Sequence, residues 1–164
     1  MDRFWPRAVH VLIVLTLPVA FVALSLRAVT SHWLVQWEYT KPDFPPDPYG
    51  LTTQDRIRLA GACVDYLTTG MAIDRLADLR LPEGGRAFNE RELRHMEDVK
   101  RLLWAILWAG LAAGAVALGG TVALAARPAT RRRGPAALLG GSLLTLGLLV
   151  AVGGLMLARW EVFF

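Results

Sequence analysis

Two apolar runs, Leu102–Ala126 and Pro135–Ala158, are separated only by the eight residues of 127–134, of which RPATRRR, Arg127–Arg133, are the first seven. Each run has the length a helix needs to cross bilayer hydrocarbon, about 20 residues. So short a linker joins two antiparallel crossings. Its four arginines set the orientation of the pair, because short loops rich in Lys and Arg stay on the cytoplasmic side. A third run, Val9–Val29, follows Arg3 and Arg7. It reads as an uncleaved spanning helix rather than a signal peptide, since it is longer than a usual h-region and no clean small-x-small cleavage signal follows it. With the N-terminus in the cytoplasm, the first crossing leads out, the second in and the third out. This places Thr30–Arg101 in an extracytoplasmic section.

Composition fits that scheme. Apolar residues make up 54% of the 164-residue chain and are gathered in blocks, as in a membrane protein. The net charge of +4 does not form a nucleic-acid face, because the basic residues are interspersed with acids or flank apolar blocks, and no zinc finger or RNP motif is present. Membrane lipids are the expected partners, nucleic acid is not, and no cofactor or metal is expected. The expected fold is all-α: one polytopic membrane domain over 1–164, with three transmembrane helices and amphipathic helices between the first and second.

Pro18, in the middle of the first run, is expected to kink it or to leave a carbonyl for a neighbour to satisfy. Gly110 and Gly114 in the second run, and Gly140, Gly141, Gly147, Gly153 and Gly154 in the third, are expected to form small-residue faces for close helix packing. Between the first and second runs the sequence is too polar to span. Trp33, Trp37 and Tyr39 suit the interfacial belt, and the prolines at 42, 45, 46 and 48 argue for an extended crossing over the membrane surface. An amphipathic helix is expected from Thr52 or Thr53 to Gly70, with Ile57, Leu59, Ala60, Val64 and Leu67 on its apolar face. A second short amphipathic piece, MAIDRLADLRL, follows and ends at Pro82. Cys63 cannot form an internal disulfide and reads as a small buried apolar residue. His10, His32, Glu38 and Asp43 read as interfacial groups.

The segment RAFNERELRHMEDVKR, Arg86–Arg101, carries the chemistry. Asn89 has the character of an N-cap, and Glu92 three residues on completes a capping-box pair. Leu93, Met96 and Val99 follow at helical spacing, so a water-side helix is expected to run without a loop into the second crossing. Glu92, His95 and Asp98 lie at successive three-residue steps, with Arg91 four before the histidine. A carboxylate on one ring nitrogen would fix the tautomer and leave the other nitrogen as a general base. The same pattern also describes a salt-bridged, solvated helix face. HExxH, GxSxG and P-loop patterns are absent, so an enzyme built here would work at the membrane boundary, with His95 central and a lipid or lipidated substrate.

FNERELRHMEDVK resembles the signature of the integral membrane family that includes the lipoprotein intramolecular transacylases of Gram-positive bacteria. YGLTTQDRIRLAGACVDYL is similar to the stretch that precedes that signature. The resemblance implies a four-crossing protein with an extracytoplasmic active site. It implies transfer of an acyl chain from the sn-2 position of a diacylglyceryl lipoprotein to the α-amine of the same N-terminal cysteine. It makes His95 the base, Glu92 and Asp98 its polar neighbours, Arg91 or Arg94 a candidate oxyanion partner, and diacylglyceryl lipoproteins the partners. It also implies a second histidine in an FH-containing segment, of which WEVFF at the end of the sequence resembles the beginning.

Overall fold

The computed structural model describes residues 4–160. The helices are α1 (Phe4–Val29), α2 (His32–Tyr39), α3 (Thr53–Thr68), α4 (Asp74–Ala77), α5 (Glu90–Ala125) and α6 (Arg133–Ala158). Among the described residues the only β pairing is an isolated antiparallel bridge between Arg80 and Arg86. Helices α1, α5 and α6 are long and apolar enough to cross a membrane. The protein is therefore an all-α, multi-pass membrane protein. The chain divides into two compact units, one formed by residues up to Leu24 and from Trp108 onward, the other by Ser25–Leu107.

In the first unit, helices meet where side chains are missing. A Cβ on Gly110 would collide with that of Ala23. One on Gly141 would stand 2.8 Å from Leu17 Cβ, and one on Gly120 would stand 3.0 Å from Val9 Cγ1. Around these contacts Ile13, Ala117, Leu124 and Ala137 form a buried core, with Trp5, Val9, Val14, Leu17 and Leu138 packed against it. Only part of the expected small-residue face does this work. Gly114, Gly147, Gly153 and Gly154 have nothing within 4 Å of a built Cβ.

Pro18 does not break α1. Lacking an N–H, it leaves the carbonyl four residues back, on Val14, without its helical donor. That oxygen lies 3.2 Å from where a Cβ on Gly141 would be, so the glycine brings the α6 backbone onto it and a Cα–H can point at it. The arginine loop is folded tightly. The Thr130 hydroxyl, in a residue that is 9% exposed, donates to the Leu124 carbonyl at 2.8 Å and occupies an orphan acceptor at the end of α5. Arg127 stacks over Trp5 at 4.6 Å, and His10 Nδ1 donates to the Arg133 carbonyl at 3.3 Å.

The second unit is joined by polar side chains that reach across to carbonyls. Arg56 donates to Pro45 O, Arg58 to Arg80 O, Lys100 to Met71 O and Trp104 Nε1 to Leu67 O, at 2.7–3.1 Å. Helix α3 begins at a full capping box, with Thr52 Oγ1 accepting from the Asp55 N–H and Asp55 Oδ2 accepting from the Thr52 N–H. Two local expectations are revised. The residues before the prolines are not extended: Ser31 Oγ accepts from the Leu34 N–H and starts α2, which ends before Pro42 imposes its restriction. The piece after Gly70 makes only the single turn α4, then yields to the Arg80–Arg86 bridge, turned by Gly84 at φ +93°.

Candidate functional site

The N-terminus of α5 is built as its sequence directs. Asn89 Oδ1 accepts from the Glu92 N–H at 3.0 Å, and Glu92 Oε2 accepts from the Asn89 N–H at 2.8 Å. This capping box uses the Glu92 carboxylate to hold the helix start. Asp98 accepts from Arg101 Nη2 at 2.9 Å, and Arg94 lies 3.8 Å from Glu90. His95 is exposed, and no hydrogen bond or ion pair to its ring occurs among the described residues. The structure therefore places Glu92, His95 and Asp98 on one exposed helix surface without joining them in a hydrogen-bonded set.

Helical geometry accounts for this. Leu93, Glu97, Lys100 and Trp104 recur at three- and four-residue steps and face the neighbouring elements, all of them partly buried. At 3.6 residues per turn, His95 lies roughly opposite that stripe. Arg91, four residues earlier and exposed, shares the histidine face, whereas Arg94 is turned toward Glu90.

Among the described residues, the one histidine–carboxylate pair formed is elsewhere. His32 Nε2, at the start of α2, donates to Asp65 Oδ1 of α3 at 2.7 Å, with the side chains 54% and 46% exposed. The ring rests over Gly61, where a Cβ would stand 3.4 Å from Nδ1 and Cε1. With Nε2 as donor the neutral ring has its acceptor at Nδ1, a fixed tautomer of the kind expected for His95. Motif reading missed this pair because its members are 33 residues apart. The local signal was Gly61 one turn before Asp65 on α3, which becomes legible only once α2 is known to be a helix.

A cleft at the junction of α3 and α5 is lined by Tyr66, Glu97, Lys100, Arg101 and Trp104. Lys100 Nζ lies 4.2 Å from the centre of the Tyr66 ring, and Tyr66 is 3% exposed. Burial pushes the Tyr66 phenol up from its ordinary value, Glu97 adds to the shift and Arg101 opposes it, so the hydroxyl stays protonated at neutral pH. Among the described residues no three His, Cys, Asp or Glu side chains come together as a metal-binding set.

Comparison with known proteins places these residues in a family. The family described as "Lipoprotein intramolecular transacylase Lit" matches residues 11–164, a range that takes in His95 and the α3–α5 cleft. An uncharacterised protein of Aquifex aeolicus (strain VF5) is 33% identical over 97 residues, a stretch that covers 59% of this chain and 45% of that protein. No solved structure matches the chain. With the family match running nearly the length of the sequence, the chain belongs to the lipoprotein intramolecular transacylase Lit family.

Proposed function

We propose that this protein is an intramolecular acyltransferase that converts a diacylglyceryl lipoprotein to its N-acylated lyso form on the extracytoplasmic side of the cell membrane. The observation that carries this reading is the family match over residues 11–164. The exposed His95 supports it, because a base with no protein partner is free to meet a substrate amine. In this reading His95 takes a proton from the α-amine of the N-terminal cysteine as its nitrogen attacks the sn-2 ester carbonyl. A C–N bond forms and an oxyanion develops, which Arg91, on the same helix face, is positioned to stabilise. Collapse breaks the C–O bond to the glyceryl group, and the protonated His95 returns its proton to the leaving alkoxide. Glu92 serves through the capping box that sets the histidine's height on α5, and Asp98 is a neighbouring charge.

The orientation rests on the arginine loop at 127–133 being cytoplasmic. The test is mass spectrometry of a lipoprotein N-terminus from cells with and without the full-length protein. N-acyl, lyso-glyceryl cysteine should appear with the wild type and vanish with His95→Gln. Unchanged diacylglyceryl-cysteine in both cells would favour a second reading, a non-catalytic membrane scaffold. One observation supports that alternative: the capping box and Arg101 engage Glu92 and Asp98, leaving His95 without a carboxylate partner.

A further inference from the structure

We infer that the α3–α5 cleft is a docking subsite that holds an ester carbonyl of a diacylglyceryl substrate before it reaches the His95 face, with Lys100 Nζ and the Tyr66 hydroxyl as its donors. This rests on the acyl-transfer reading and adds a subsite to it, separate from the His95 face. The cleft residues Glu97, Lys100, Arg101 and Trp104 occupy the last polar turn of α5 and the first turn of its apolar run. Trp and Tyr settle at this level of a bilayer, where polar glyceryl groups meet acyl chains.

An ammonium has three donors, and Lys100 Nζ gives one to Met71 O at 2.7 Å. No protein group bonds the Tyr66 hydroxyl among the described residues, although the rest of this residue is buried. Two donors therefore converge on one cleft with capacity to spare. Of the other donors in the cleft, Arg101 holds Asp98 and the Trp104 indole holds Leu67 O. An ester carbonyl is a neutral acceptor, which a lysine beside Glu97 can bind without the repulsion that this carboxylate would impose on a phosphate. The Tyr66 and Trp104 rings supply an apolar wall for the attached chain.

The test compares two non-reacting probes on the full chain in detergent: an N-acetylated diacylglyceryl lipopeptide and its diether analogue, which lacks both carbonyl oxygens. The wild type should bind the diester about fiftyfold tighter, the product of about tenfold for a hydrogen bond from a charged donor and about fivefold for a neutral hydroxyl bond. Lys100→Met should keep only about fivefold of that preference, and Tyr66→Phe only about tenfold. Retained diether binding shows that a variant is folded. Should Lys100→Met bind neither probe, Tyr66→Phe, which keeps the ring beneath Lys100, decides by the same ratio. Equal binding of both probes by the wild type, or an undiminished preference in both variants, would overturn the inference. So would displacement of the lipopeptide by equimolar phosphatidylglycerol, which would assign the cleft to bulk lipid. Because the N-acetylated probe cannot react, a Lys100-dependent preference stands even if no transferase activity is found. Conversely, active Lys100→Met and Tyr66→Phe variants with unchanged KM and diester preference would remove the subsite and leave the proposed function intact.

Discussion

The two units of this protein solve the problem of helix contact by opposite means. Around α1 and α6, contact is made by omission: Gly110, Gly120 and Gly141 leave out the atoms that would hold the backbones apart. In residues 25–107, contact is made by reach, with Arg56, Arg58, Lys100 and Trp104 crossing to carbonyls that no helix satisfies. The difference follows from solvent. Lipid tails are as apolar as leucine, so spanning helices gain little by burying leucine against one another and more by close backbone approach. The polar section has short elements with many free carbonyls, and each bridged carbonyl contributes about 0.5–1.5 kcal/mol.

Substitutions that interchange the two solutions test this contrast. Gly141→Leu should be the most damaging, because it forces a side chain into Leu17 and Val14. Overpacking of this kind costs about 1–3 kcal/mol and should appear as a clear fall in the thermal midpoint in detergent. Trp104→Phe keeps an aromatic ring but removes the indole donor and part of the bulk, and should cost about 1 kcal/mol or somewhat more in the same assay. Gly147→Ala, where a Cβ meets nothing, should be neutral or stabilising by up to about 1 kcal/mol; a loss as large as that for Gly141→Leu would end the argument from omission. His32→Gln should change stability by only a few tenths of a kcal/mol, since both partners are about half exposed and solvent screens the pair. The smallest test is a rate. Burial raises the Cys63 thiol above its ordinary value, so a smaller fraction is thiolate at any given pH. External maleimide should label it more slowly than a free thiol near neutrality, with the rate climbing steeply as the pH rises. Labelling only after permeabilisation would count against an extracytoplasmic section.

The sequence was most informative where physics is local. Apolar run length located α1, α5 and α6, and the Asn89–Glu92 pairing marked the start of α5 because a capping box spans only four positions. It was least informative where contact joins distant residues. The glycines of α5 and α6 look alike in sequence, yet only some lie at crossings. Prolines at 42–48 suggest an extended chain, and the Ser31 cap that starts α2 just upstream is established only by its bond from the Leu34 N–H. The His95 surface was legible in position but not in partners, since a carboxylate at helical spacing can turn to a cap or an arginine as readily as to a histidine. The α3–α5 cleft was invisible, because Tyr66 and Lys100 meet only after α3 packs on α5.

The join at Pro18 bears on how the protein is made. Helix α1 is synthesised before α6, and it carries a Val14 carbonyl without a helical donor that Gly141 of α6 closes over. Until α6 arrives, a backbone dipole stands open to hydrocarbon or to whatever accompanies the nascent chain. The α1–α6 seam thus leaves α1 unfinished until α6 joins it, and a chain interrupted between the two would carry an unsatisfied carbonyl in the membrane.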